Sequence, residues 1–143
     1  MTQPLGHEVL LAQPFDEALA RVRAALKVEG FGILTEIDLR QAFREKLGRE
    51  FRPYVILGAC NPPLAHAALT AERDIGLLLP CNVIVYAGDD GCTSVVAAMD
   101  PVAALSLTGN SEIRPLAEDV RGRLQRVLDA VAATQRQGDD TKA

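Results

Sequence analysis

The sequence from Tyr54 to Leu69, YVILGACNPPLAHAAL, predicts a strand followed by a helix and contains the first of two Cys-Asn pairs. Its first half is aliphatic and β-branched, a composition that favours a strand. Pro62 marks the start of a helix, because proline is pre-organised for the first helical position. Cys60 and Asn61 therefore stand at the junction between a predicted strand and a predicted helix.

The stretch at residues 75–88, IGLLLPCNVIVYAG, contains the second pair, Cys81 and Asn82, at the start of another apolar run. A strand that is followed by a helix and a connector can return as an antiparallel strand beside its own end. The turn GDDG, residues 88–91, then carries the chain into a hairpin partner from Cys92 to Met99. Each Cys-Asn pair thus marks one end of a predicted strand.

The flanking segments continue this pattern in both directions. A strand from His7 to Leu11 precedes a helix that opens at Pro14. The next strand is predicted to place four alternating side chains on one face: Phe31, Ile33, Thr35 and Ile37. Asp38 follows as a helix N-cap, with Gln41 three residues later. An amphipathic stripe predicts a last helix at residues 111–133.

The predicted order of elements is β-α-β-α-β-α-β-β-α. It indicates an α+β fold, a single layered domain with helices packed on a mostly antiparallel sheet of about five strands. We assign residues 1–133 to this domain. Residues 134–143 are polar, and we predict that they form a disordered tail.

The composition argues against several classes of protein. The 143 residues carry a net charge of −4, whereas a nucleic-acid binder needs a basic face. The N-terminal residues lack the basic leader of a secretory signal, and the longest apolar stretch is broken by Pro80 and is too short to span a bilayer. Three cysteines without a CxxC motif suit a reducing compartment, so we expect a cytoplasmic protein that binds neither nucleic acid nor membrane.

Four segments follow one another along the chain. They are GFGILTEIDLRQAFREKLG at residues 30–48, LGACNPPLAHAAL at 57–69, IGLLLPCNVIVY at 75–86 and SVVAAMDP at 94–101. Together, in this order and spacing, they resemble the bacterial and archaeal domain-of-unknown-function family numbered 302. The match covers residues 9–107. The resemblance implies a compact α+β domain that forms a homodimer, and it implies no established activity.

Cys60 has the strongest chemical case among the three cysteines. It ends a strand just before a proline-opened helix, where we expect unsatisfied backbone N–H groups. Such groups stabilise a thiolate and lower the pKa of a cysteine. They also bind a carboxylate or a phosphate. The other interpretation is a buried structural cysteine, because free Cys is among the most buried residue types.

The predicted topology collects six candidate ligand-binding residues at one rim of the sheet: Cys60, Asn61, Cys81, Asn82, Met99 and Asp100. In this hairpin Cys81 is predicted to lie opposite Ala98 or Met99. Cys92 belongs to the turn end of the same hairpin, about 20 Å away at about 3.3 Å per residue. We therefore exclude Cys92 from the rim site.

The residue types at the rim are compatible with more than one ligand. Cys60 and Cys81 would suit a soft metal ion such as Cu(I), with His66 as a candidate third ligand. The spacing of these residues matches no standard zinc pattern. Asn61 and Asn82 are either cap and turn residues or amides that orient a ligand.

These residues support three hypotheses about function. The leading one is a small cytoplasmic homodimer that binds a small ligand or a soft metal ion at the Cys-Asn rim. The alternative is an enzyme or carrier of thiol or sulfur chemistry, with Cys60 as nucleophile and Cys81 as resolving partner. The third is a structural domain with inert cysteines. The sequence contains no P-loop, GxGxxG, HExxH or GxSxG motif, and it identifies neither a cofactor nor a reaction.

Overall fold

Within the described part of the chain, five strands of six or seven residues and one of two residues form a single sheet. The computed structural model describes residues 2, 3 and 5–142, with side chains from residue 5 to residue 133. The strands are β1 Thr2–Gln3, β2 Gly6–Leu11, β3 Gly32–Asp38, β4 Tyr54–Cys60, β5 Cys81–Ala87 and β6 Ser94–Met99. The helices are α1 Phe15–Val28, α2 Leu39–Leu47, α3 Pro62–Ala71, α4 Pro101–Leu105 and α5 Ile113–Lys142, with 3₁₀ turns at Arg73–Leu78 and Ser106–Thr108.

Neighbouring strands are antiparallel throughout the sheet, in the order β1-β2-β6-β5-β4-β3. The predicted α+β fold, with helices on a mainly antiparallel sheet, is therefore confirmed. The connection through α3 returns the chain beside its own end, as expected, and places Ala59 opposite Cys81 and Tyr54 opposite Tyr86. This return places the two Cys-Asn pairs on neighbouring strands.

One face of the sheet, the closed face, is covered by α1 and α5. Alternate strand residues supply its apolar side chains: Leu11, Val55, Leu57, Val83, Val85 and Val96. Val22 and Leu26 of α1 and Leu124 and Leu128 of α5 pack over them and are at most 2 % exposed. Burial of each such side chain contributes about 1.5–3 kcal/mol. The predicted C-terminal helix is therefore part of the main core.

The opposite face, the open face, is apolar but half exposed. The rings of Tyr54 and Tyr86 stack on it with centroids 5.1 Å apart, and Phe51 lies 6.2 Å from Tyr54. Ile37 at one side of this face is 46 % exposed, and Leu10 near the other side is 65 % exposed. The described helices thus leave much apolar surface uncovered on this side of the sheet.

A β-bulge in β3 changes which side chains share a face. Ile33 lies opposite Ala59, and Thr35 takes the next pairing position, so Leu34 is the extra residue. The prediction that alternate residues of 31–37 all lie on one face is therefore wrong. Of the four residues, Phe31 and Ile33 belong to the closed face, whereas Thr35 and Ile37 belong to the open face.

The β5–β6 hairpin has a different register from the predicted one. Val83 lies opposite Ala98. Continued by two residues, this register places Cys81 level with Asp100, so the predicted position opposite Ala98 or Met99 is wrong. The cause is a longer turn, since β6 begins two residues later than expected.

The side chain of Asp90 explains the longer turn. Its Oδ1 accepts hydrogen bonds from the N–H groups of Cys92 and Thr93 and from the Thr93 hydroxyl, each at 2.9 Å. These bonds hold Cys92 and Thr93 in the turn, whereas the prediction placed both residues in the strand. Cys92 is exposed there, at the end of β5 distant from Cys81.

Asp100 ends β6, as predicted, but a helix that the sequence did not predict follows directly. The Asp100 carboxylate accepts hydrogen bonds from the N–H groups of Val102 at 3.0 Å and Ala103 at 3.4 Å. Pro101 occupies the first position of this helix, α4. Five residues are too few to produce a periodic apolar pattern, which explains why α4 was missed.

The described part of the chain ends on α5. Its predicted apolar stripe is buried, and Val127 and Val131 are each 1 % exposed. The predicted disordered tail falls on residues 134–143, which lie outside the described side chains, and it stays a prediction, as does the domain boundary at residue 133. None of the helices in the described ranges combines the length and the hydropathy needed to cross a membrane.

Candidate functional site

A cavity of about 280 Å³ lies at the end of the sheet where β4 stops and β5 starts. We call it the Cys-Asn cavity, because Cys60, Asn61 and Cys81 line it. The rest of its wall is apolar and comes from the sheet, α3, the connector before β5, α4 and α5, including Phe31, Leu34, Leu64, Leu79, Leu105 and Val120. Three of the six predicted rim residues thus meet at one concave surface.

The two cysteines lie close together, since both line the cavity and the Cys60 thiol contributes to the raised pKa of Cys81. Ala59 lies opposite Cys81, and Cys60 is the next residue on β4. The Cys60 side chain is half-buried, whereas Cys81 is 7 % exposed. Of the two thiols, Cys60 is therefore the more accessible to a bound molecule.

The first turn of α3 has no free N–H group. Pro62–Pro63 have none, because proline nitrogen carries no hydrogen. The Leu64 N–H donates to Asn61 Oδ1 at 3.3 Å, and the Ala65 N–H donates to the Asn61 carbonyl. The prediction of unsatisfied N–H groups beside Cys60 is therefore wrong. The carboxylate or phosphate site that depended on them is wrong for the same reason.

Cys81 is chemically quiet at neutral pH. Burial, with a smaller contribution from the nearby Cys60 thiol, raises the pKa of Cys81 to about 11. The thiol is therefore protonated at neutral pH, and a protonated thiol is a poor nucleophile and a poor metal ligand. Cys81 forms a small, polarisable part of the cavity wall.

Asn82 lies on the other side of the sheet from Cys81. Successive strand residues point to opposite faces, so Asn82 is on the open face while Cys81 is on the closed face. Asn82 and Met99 line a separate hollow of about 210 Å³ together with Gly6 and Ile84. Asn82 and Met99 thus line a different hollow from Cys60, Asn61 and Cys81.

Asp100 Oδ1 has structural partners on both α4 and α5. Besides capping α4, its Oδ1 lies 3.8 Å from Nε of Arg121 on α5. Asp100 is not part of the wall of the Cys-Asn cavity. In this structure it holds the start of α4 and faces α5.

The three candidate metal ligands do not meet. His66 is exposed on α3 and does not line the cavity, although its helix neighbours Ala65 and Leu69 do. Across the side chains that the structure describes, no three His, Cys, Asp or Glu residues are grouped so that they could hold a metal ion. The proposed grouping of Cys60, Cys81 and His66 is therefore not formed.

Sequence reasoning missed most of the residues that give the cavity its shape. Leu34 is 67 % exposed and Leu69 is 42 % exposed, and both line it, so its mouth is apolar. An exposed leucine in an edge strand is a weak signal, and only the bulge aims Leu34 at this site. Leu105 and Val120 come from distant segments, and no local pattern connects them with Cys60.

Comparison with known proteins agrees with this fold. The sequence matches the family described as "Domain of unknown function DUF302" over residues 7–131. A solved structure described as "Crystal structure of uncharacterized conserved protein DUF302 from Bacillus stearothermophilus" is similar, with a TM-score of 0.82 and 28% identity over 90% of this chain and 99% of that chain. No curated protein matches the sequence. The resemblance predicted from the four segments is confirmed, and the chain belongs to the DUF302 family.

Proposed function

We propose that this protein binds a small, mainly apolar ligand in the Cys-Asn cavity. The observation that carries the proposal is a concave site of about 280 Å³ whose wall is apolar except for one amide and two thiols. Ligand sites in proteins are typically apolar pockets with a few placed polar groups. A space of this size holds about nine non-hydrogen atoms at about 30 Å³ each.

The mouth of the cavity supports an apolar ligand. Leu34 and Leu69 line it and are largely exposed. Leu77, on the neighbouring 3₁₀ turn, is 89 % exposed. Transfer of an apolar chain from water past these leucines into the cavity is favourable by about 25 cal/mol per Å² of surface removed from water. A soft metal ion gains less here, because it would have to displace the proton of the buried Cys81 thiol and because His66 lies outside the cavity.

The alternative of thiol chemistry depends on one observation, the partial exposure of Cys60 at the cavity wall. Iodoacetamide labelling followed by peptide mass spectrometry tests it. We expect Cys92 to react first, Cys60 more slowly and Cys81 only after unfolding, because exposure decreases in this order. Faster labelling of Cys60 than of Cys92 near neutral pH would favour the enzyme instead.

We further propose that two copies associate through the open face. Five strands, spaced by about 4.8 Å and about 20 Å long, give the open face an area of roughly 500 Å². The aromatic residues beside α2 enlarge this area. A standard interface buries about 800 Å² per partner. Tyr54, Tyr86 and Phe51 supply the aromatic side chains that are enriched in interfaces.

Three free cysteines support a reducing, cytoplasmic location.

Ligand binding can be tested with a cavity-filling variant and a matched control. The probes are three eight-carbon molecules, 2-octanone, octanoate and octylamine. Ala65 and Ala67 are half-buried neighbours on α3, but only Ala65 lines the cavity. We expect at least one probe to bind with a Kd of about 1 mM or tighter, Ala65→Leu to abolish binding, and Ala67→Leu to preserve it. No binding of any probe, or equal binding by both variants, contradicts the proposal.

A further inference from the structure

Asn61 contributes a hydrogen-bond donor to the cavity wall. It is 8 % exposed and lines the cavity. Its amide orientation is fixed by the Leu64 N–H, which needs an acceptor and therefore faces Oδ1. Nδ2 is left with two hydrogens, and among the described residues no acceptor takes either of them. Nδ2 is not among the fully buried atoms that lack a partner, so water can reach it, and a ligand acceptor would take the place of that water.

Gly30 leaves room for this amide. A side-chain Cβ at Gly30 would lie 3.0 Å from Asn61 Nδ2, and the φ of +84° at Gly30 is a conformation that glycine adopts without strain. The preceding carbonyl, that of Glu29, accepts a hydrogen bond from Nη1 of Arg123 at 3.1 Å. Among the described residues, no backbone carbonyl near Asn61 accepts a hydrogen bond from Nδ2.

The charge of the surroundings limits the ligand. The residues that line the cavity include no Asp, Glu, Lys, Arg or His. A carboxylate, phosphate or ammonium group inside it would lie in an apolar site without an ionic partner, which is costly. The capped, proline-blocked start of α3 gives an anion no backbone donor either. These features favour a neutral polar group.

From these features we propose that the cavity selects a neutral molecule with an apolar chain of about eight carbons and one carbonyl oxygen, which accepts a hydrogen bond from Asn61 Nδ2. This inference rests on the proposed function, and it adds the chemical class of the ligand. The apolar chain lies against Phe31, Leu64 and Leu105, with the mouth at Leu34 and Leu69. Ketone, ester and amide carbonyls belong to this class.

The test compares a carbonyl probe with its hydrocarbon isostere. 2-Octanone and 2-methyl-1-octene have the same shape, but only the ketone accepts a hydrogen bond. Headspace gas chromatography measures how strongly the protein retains each volatile probe. We expect the ketone to bind about tenfold more tightly than the alkene, and more tightly than octanoate or octylamine.

Asn61→Ser sharpens the test, because serine keeps the helix cap and removes the amide donor. We expect it to weaken 2-octanone binding about tenfold and to leave alkene binding unchanged. If Asn61→Ser does not fold, Asn61→Thr serves in its place, since threonine also keeps a capping oxygen, has no amide and adds no charge to the cavity. Equal loss for both probes, or no loss for either, overturns the inference.

The two proposals fail in different ways. Binding of octanoate or octylamine that Ala65→Leu abolishes, with weaker or absent binding of 2-octanone, overturns the carbonyl inference and leaves the ligand cavity intact. Absence of binding by every probe overturns both. Selective binding of the ketone that depends on Asn61 and on Ala65 supports both.

Discussion

The two faces of the sheet are both apolar, but only one is filled by the helices of the same chain. On β4, Leu57 of the closed face is completely buried, whereas its neighbour Ile56 on the open face is only half-buried. The same alternation separates Cys81 from Asn82 on β5. Apolar content alone therefore does not show which residues hold the fold together. Position relative to α1 and α5 decides that.

The largest expected difference between the faces is in folding stability. Leu57→Ala should lower the free energy of unfolding by about 3–4 kcal/mol, because it leaves a cavity among α1, α5 and the sheet. Ile56→Ala should lower it by about 1 kcal/mol, since part of that side chain is already in water. Urea unfolding of dilute protein measures both. Similar losses for the two variants would contradict the distinction between the faces.

Association should depend on the open face. Ile84→Lys places a charge at the centre of that face, beside the Tyr54–Tyr86 stack. We expect at least about a hundredfold weaker dimerisation in sedimentation equilibrium, because the charge would be buried without a partner. Leu77→Lys is the control, since Leu77 is 89 % exposed and lies outside the open face. A monomeric wild-type protein, or an unchanged dimer in Ile84→Lys, would reject this interface.

The closed face should also give stability a dependence on pH. The pKa of Cys81 is about 11 in the folded protein, against 9.0 for an ordinary cysteine. The folded state therefore holds the thiol proton more tightly, and stability should fall as pH rises from about 9 to about 11. At 1.36 kcal/mol per pKa unit the loss is about 2–3 kcal/mol. Denaturant titrations of wild type and Cys81→Ala measure it, and an equal pH slope in both would contradict the assignment to Cys81.

The smallest expected difference in folding stability is between two helix caps, Asp100 and Asp38. Asp100→Ala should cost about 1–1.5 kcal/mol, because two N–H groups of α4 lose an acceptor and Arg121 loses a nearby carboxylate. Asp38→Ala removes a single exposed hydrogen bond to the Gln41 N–H and should cost about 0.5 kcal/mol. Thermal unfolding followed by circular dichroism distinguishes the two. A larger loss at Asp38 would contradict the greater role of the partly buried cap.

Much of the fold could be predicted because its signals are local. The run from Tyr54 to Cys60, the Asp38 cap and the stripe ending at Val131 each fix an element by composition or period. Features that depend on one extra residue could not be predicted. The Leu34 bulge and the longer turn held by Asp90 each shift a register, and period-two alternation contains no sign of either.

The site was predictable only in part. The return of β5 beside β4 follows from the length of the connection, and it correctly brought Cys60 near Cys81. The separation of Asn82 from Cys81 follows from strand alternation, which the predicted rim site did not take into account. The walls from α4 and α5 required the tertiary structure, because contact between residues so distant in sequence leaves no local pattern.

The bulge at Leu34 also bears on how the protein avoids polymerising through its sheet. A regular, exposed edge strand offers a row of free backbone groups to the edge of another molecule. At one edge of this sheet the bulge interrupts that row, and Glu36, paired with Arg23 of α1, adds charge beside it. At the other edge the described residues of β1, Thr2–Gln3, pair with the first two residues of β2. The bulged edge therefore disfavours strand-to-strand growth of aggregates, although the open face is apolar.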